Sequence, residues 1–103
     1  MVQITVQELE EKLYNSKIDL IDVRNIEELE ICKIEGSIHI EMNDILGKAD
    51  TLDKKKLYAV ICHQGIRSYR VAVYLNSIGY NAVNVIGGIH AWATEIENDM
   101  NRY

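Results

Sequence analysis

Apolar residues arrive in this chain in two rhythms, spacings of three and four and short unbroken runs, and their alternation predicts the elements. Thr5-Val6-Gln7-Glu8 has the form of a capping box, with Leu9 and Leu13 on one face beyond it, and predicts a helix over about 6–15. Met1-Val2-Gln3-Ile4 reads as the lead-in to that helix. Ile18–Val23 predicts a short strand, Ile26–Cys32 a short helix, Gly36-Ser37 a turn and Ile38–Ile40 another strand. Leu57–Cys62 is apolar without a break, as a central strand of a parallel sheet is when both faces are covered. After the polar break His63-Gln64-Gly65, Val71, Leu75 and Ile78 set a helix over about 67–77, which Gly79 stops. Ala82–Ile86 predicts the last strand, Gly87-Gly88 a turn and Ile89–Asn98 the last helix. Strands and helices in this alternation define an α/β sheet with helices on both faces, whose ligands sit at the carboxyl ends of the strands.

Composition narrows the function. At 103 residues, 48% hydrophobic and 26% charged, the chain has room for one core and is expected to fold as a single domain over 1–103. Two cysteines cannot build a disulfide scaffold, and three histidines beside them lack structural-zinc spacing, so neither metal nor cofactor is expected. The net charge of −5 opposes binding to nucleic acid or to an anionic membrane. Its distribution is uneven. Residues 1–45 hold eleven acids against four bases, and residues 46–103 hold five acids against seven bases, so an anion is expected to dock on the second half. The longest apolar run, Leu57–Cys62, is far short of the ~20 residues that span a bilayer, and no targeting peptide opens the chain. The expected location is the cytoplasm, with reduced thiols.

The chemistry is expected at Cys62. It stands where the buried strand meets a loop that feeds a helix, so backbone amides and the positive end of the helix dipole converge near its sulfur and favour the thiolate. Arg67 adds a permanent charge, Gly65 lets the loop amides turn inward as an anion nest, and Ser68 can cap the incoming helix. The plainer reading of a free cysteine ending an apolar strand is a small buried hydrophobe.

Cys62-His63-Gln64-Gly65-Ile66-Arg67-Ser68 resembles the active-site loop of single-domain rhodanese-like sulfurtransferases, Cys-x-x-Gly-x-Arg-Ser after a central strand. Asp22-Val23-Arg24, with Glu28, Ile34, Gly36, His39 and Ile40, is similar to the family's first signature, and Gly87-Gly88-Ile89-His90-Ala91-Trp92 to its last. The resemblance implies a rhodanese-like fold, a five-stranded, mainly parallel sheet with helices on both faces. It also implies a Cys62 persulfide that takes sulfur from a small anionic donor such as thiosulfate and passes it to cyanide or a thiol. His63, Gln64, Gly65, Ile66, Arg67 and Ser68 then bind substrate, and Asp22 with Arg24 forms a supporting ion pair beside the loop. Related phosphatases carry one more loop residue, so the six residues Cys62–Arg67 favour sulfur over phosphate. A rhodanese-like binding or regulatory module is the other reading; intact Cys62 and Arg67 favour the enzyme.

The chain also departs from the family pattern. Cys32-Lys33 replaces the usual Gly-His and Glu35 the usual Pro. If the glycine serves a positive φ, Cys32 carries local strain of about 1 kcal/mol. Ile66 is bulkier than the usual occupant. Cys32 itself is expected to be a spectator. His63 is expected in a solvent-facing loop, His39 at a strand end, His90 on the last helix's surface and Trp92 in the core. Lys54-Lys55-Lys56 is expected in a solvated turn, where it also suits docking of a partner protein or an anionic donor.

Overall fold

The structure is a computed structural model and describes residues 3–103; Met1 and Val2 lie outside the described residues. The elements are β1 (Gln3–Ile4), α1 (Val6–Tyr14), β2 (Asp19–Asp22), α2 (Ile26–Ile31), β3 (Ile38–His39), α3 (Ile45–Lys48), β4 (Leu57–Ile61), α4 (Ile66–Ser77), β5 (Asn81–Val85) and α5 (Gly88–Glu95). Short 3-10 turns, Met42–Asp44 and Ala49–Thr51, flank α3. The expected α/β sheet is present: five strands in the order β1-β5-β4-β2-β3, every pairing parallel.

The capping box forms as predicted, with Thr5 Oγ1 accepting from the Glu8 amide at 3.1 Å and Glu8 Oε1 from the Thr5 amide at 2.8 Å. Asn25 and Glu28 build a second one at the start of α2. Two parts of the chain differ from the pattern reading. Gln3-Ile4 is not merely a lead-in but the edge strand β1, registered against Asn84 and Val85. Two residues are too few for a period of two to show. The unassigned stretch after Ile40 forms α3 and its flanking turns, which bury Ile45 and Ala49, four residues apart.

Side chains alternate across the sheet and build two core layers. On one face Leu20, Ala59, Ile61, Val83 and Val85 pack with Leu9 of α1 and Ile89 and Trp92 of α5. On the other, Ile21, Tyr58, Val60, Cys62 and Ala82 pack with Val71, Ala72 and Leu75 of α4 and with Ile45. No described helix is long and apolar enough to cross a membrane. The central strand β4 thus delivers Cys62 to the carboxyl edge of the sheet, between the first turns of α4 and α5.

Candidate active site

Cys62 follows β4 in the packing layer of Val60 and is 1% exposed. The chain then reverses into α4 through Gly65, which takes φ +97° and ψ 4° just before the first helical residue. That conformation suits glycine, and a Cβ there would stand 3.3 Å from the Gly87 nitrogen and the Val85 carbonyl oxygen. The reversal turns donors onto the sulfur: the Gly65 amide at 3.1 Å, the Ser68 amide at 3.4 Å and Ser68 Oγ at 3.2 Å from Sγ. Burial pushes the Cys62 thiol up. The Ser68 hydroxyl, then the amides of Ser68, Gly65 and Gln64, oppose it, and the net is a thiol held below its ordinary range. Two amides and a hydroxyl thus cradle a sulfur that, as an apolar filler, would meet no polar donor.

The opposite wall comes from α5. The amides of Ile89 and His90 donate to the carbonyls of Cys62 and His63 at 2.8 and 3.0 Å. Gly88 makes this approach feasible, since a Cβ on it would press into both of those carbonyl oxygens.

Two expectations need correction, for Ser68 and Cys32, and Arg67 gains a partner the sequence did not show. Ser68 does not cap α4: the N-cap position is Gly65, without a side-chain cap, and Ser68 is already inside the helix with its hydroxyl on Cys62 Sγ and Asn84 Oδ1. Arg67 lies within Coulombic range of Cys62 but is held by a closer partner. Its Nη1 and Nη2 donate to Glu28 Oε1 and Oε2 at 2.7 and 2.9 Å, a bidentate pair that joins α4 to α2. Cys32 is not strained, because its backbone is extended, with φ −164° and ψ 152°.

Of the other loop residues, Gln64 and Ile66 are exposed, and with Cys62, His63 and Arg67 they line an open cleft of about 170 Å³. His63 is only half exposed. Its ring stacks on Tyr103 with centroids 4.0 Å apart, and its Nε2 lies 3.1 Å from the Tyr103 carbonyl oxygen. Asp22 and Arg24 are buried as an ion pair at 2.8 Å, but their outward reach is to α2 and the chain's tail rather than to Cys62. Arg24 donates from Nη2 to the Cys32 carbonyl at 2.8 Å and from Nη1 to the Tyr103 hydroxyl at 3.0 Å. His39 lies at the end of β3, with Nε2 2.7 Å from the Arg24 carbonyl oxygen. His90 is exposed on α5 and Trp92 is buried. Lys54, Lys55 and Lys56 are exposed before β4, and Lys56 pairs with Asp19 at 3.1 Å. Among the described residues, no three His, Cys, Asp or Glu side chains gather as metal ligands.

Sequence reasoning gave Glu28 no role beyond its place in the signature and passed over Tyr103 and Asn84. Glu28 anchors Arg67, and Tyr103 donates its hydroxyl to Glu28 Oε2 at 2.8 Å from 75 residues away. Asn84, 2% exposed, accepts from Ser68. Its one signal was a polar letter inside Ala82-Val83-Asn84-Val85, a run otherwise made of small and β-branched apolar residues.

A parallel sheet whose central strand ends in an amide-cradled cysteine defines a class of protein, and comparison with known proteins identifies it. The model of the Rhodanese-like domain matches residues 5–95, and the chain belongs to that family. It is 44% identical over 94 residues to "Putative sulfurtransferase YtwF" of Bacillus subtilis (strain 168), covering 90% of this chain and 91% of that one. It is 30% identical over 91 residues to "Thiosulfate sulfurtransferase GlpE" of Actinobacillus succinogenes, covering 87% and 82%. The crystal structure of a rhodanese-like domain protein from Staphylococcus aureus superposes with a TM-score of 0.84 at 40% identity, over 89% of this chain and 91% of that one.

Proposed function

We propose that the chain, as one rhodanese-like domain, is a thiosulfate sulfurtransferase that carries sulfur as a Cys62 persulfide. The observation that carries this reading is the set of donors on Cys62 Sγ, two backbone amides and the Ser68 hydroxyl at 3.1–3.4 Å. The thiolate attacks the outer sulfur of thiosulfate; an S–S bond forms at Cys62, and the bond to the sulfonate sulfur breaks, its electron pair leaving with sulfite. One negative charge then rests on the new terminal sulfur, within reach of the same amides. Cyanide or a thiolate attacks that sulfur, and the electron pair of the S–S bond returns to Cys62.

GlpE, thiosulfate sulfurtransferase by name, supports thiosulfate as donor. The six-residue cradle from Cys62 to Arg67 supports a persulfide rather than the larger phosphoryl group. Two unpaired thiols suit a reducing compartment, and the cytoplasm is the proposed location. A binding module without turnover is the second reading, favoured by one observation: both terminal nitrogens of Arg67 donate to Glu28, which draws the guanidinium toward α2.

Mass spectrometry after thiosulfate treatment separates the two. The enzyme reading expects the mass of one sulfur atom added at Cys62, and thiocyanate release in cyanide that Cys62→Ser abolishes while its circular dichroism stays that of the wild type. An unmodified Cys62, or full thiocyanate release by Cys62→Ser, would sink it.

A further inference from the structure

Asn84 occupies a place in β5 where an apolar side chain is the ordinary choice. Alternation sends Val83 and Val85 to the α5 face and Ala82 and Asn84 to the α4 face, where Asn84 meets Ser68. A buried amide is costly unless each of its groups is paired. Here each is: the Asn84 nitrogen donates to Gln3 Oε1 at 2.8 Å and to the Gly65 carbonyl at 3.1 Å. A backbone carbonyl only accepts, so the Gly65 contact fixes which end of the amide faces the loop. The other end, Oδ1, lies 2.6 Å from Ser68 Oγ and can only accept.

Ser68 Oγ carries one proton and has two claimants, Asn84 Oδ1 at 2.6 Å and Cys62 Sγ at 3.2 Å. We propose that Asn84 is a positioning residue that competes with the Cys62 sulfur for the Ser68 hydroxyl proton, so that this proton follows the charge on the sulfur. In the thiol form, Ser68 donates to Asn84 and the S–H donates to Ser68 Oγ. In the thiolate form the sulfur only accepts, the hydroxyl turns to it, and Asn84 Oδ1 loses its donor while still buried. Once sulfur is loaded, the charge sits on the outer atom, the inner sulfur becomes a weak acceptor, and the proton returns to Asn84. The cost of an unpaired buried carbonyl therefore falls on the bare thiolate alone. That sulfur is raised in energy relative to its loaded form and is more ready to attack. The consequence for turnover rests on Cys62 being the sulfur carrier, whereas the proton sharing is measured in the sulfur-free protein, so the two fail separately.

The test follows ultraviolet thiolate absorbance against pH in a Cys32→Ala background, where Cys62 is the one thiol that titrates. Asn84→Ala is expected to increase the Cys62 ionisation constant about fivefold, the worth of one ordinary hydrogen bond. In Ser68→Ala, the same Asn84 substitution is expected to change nothing further. The other charged or titratable groups of the surrounding elements include the Asp22–Arg24 and Glu28–Arg67 pairs, His63, His90 and Tyr103, with Asp19 on β2, Tyr58 on β4, Tyr69, Arg70 and Tyr74 on α4 and Glu95 on α5. They are common to all variants, so an effect that requires Ser68 does not come from them. An ionisation constant that is unchanged or smaller in Asn84→Ala, or an increase that persists without Ser68, would overturn the proposal. Asn84 also holds Gly65, so a second measurement needs no change at 84: the side-chain carbonyl carbon resonance of Asn84, followed by NMR through the Cys62 titration. It is expected to move with the Cys62 midpoint when Ser68 is present and to move far less in Ser68→Ala; a resonance indifferent to that midpoint when Ser68 is present would overturn the idea as well.

Discussion

Cys32 sits half-buried at the C-terminal end of α2, where its carbonyl accepts from Arg24 and its sulfur lies 3.9 Å from Arg24 Nη1. It therefore serves the Asp22–Arg24 brace chiefly with its backbone carbonyl, the longer contact to its sulfur adding little. Cys32→Ala is expected to leave sulfur transfer near the wild-type rate, measured with thiosulfate and a thiol acceptor; a loss beyond tenfold with folding intact would give the second cysteine a chemical role. A glycine offers no relief, because φ at position 32 is extended. Cys32→Gly is expected to unfold at lower denaturant than Cys32→Ala, by about 0.5 kcal/mol of added backbone entropy. Single residues show where sequence was legible. Cys62 was legible as the candidate because its type and its place after an apolar run point to the same chemistry. Ser68 was misread as a cap because one letter does not show where the first helical residue falls.

Between elements, the decisive contact is the grip of the first turn of α5 on the loop after β4. Both faces of that contact are backbone, so it forms only where no side chain intervenes. Gly88→Ala adds a methyl that meets the Cys62 and His63 carbonyls, at a residue with φ +58°. The expected cost is about 3 kcal/mol or more, combining a left-handed backbone with a contact that neither strand nor helix can yield. Thermal unfolding measures it, and a melting temperature within a degree of wild type would mean that α5 moves freely of the loop. The Gly87-Gly88 turn was visible in the sequence, but its reason was not, because the atoms it accommodates belong to residues 25 and 26 positions before Gly88. Likewise β1 lay below the threshold of pattern: its two residues earn their place through the register with Asn84 and Val85, not through any rhythm of their own.

Across the whole molecule, four distant residues close a network over the carboxyl edge of the sheet: Arg24, Glu28, Arg67 and Tyr103. The Arg67 guanidinium, above all, holds the Glu28 carboxyl down at about 2, from an ordinary value of 4.5. The unfolded chain binds that proton first, so the network's contribution is fully present above pH 4.5 and is lost as the pH falls through about 2. Glu28→Gln is expected to flatten this part of the acid limb in denaturant titrations run at a series of pH values; an unchanged slope would show that the pair adds nothing to stability. By itself the sequence determined the order of the longer elements, the buried central strand and the place of the candidate cysteine at its end, because periodicity, capping and the six-residue loop are local and need no partner. Only the tertiary structure decided that Arg67 turns to Glu28, that Tyr103 covers His63 and that Ser68 divides one proton between Cys62 and Asn84. Those choices are settled by which donors and acceptors meet after residues far apart in the chain are packed together, and no local pattern encodes that meeting.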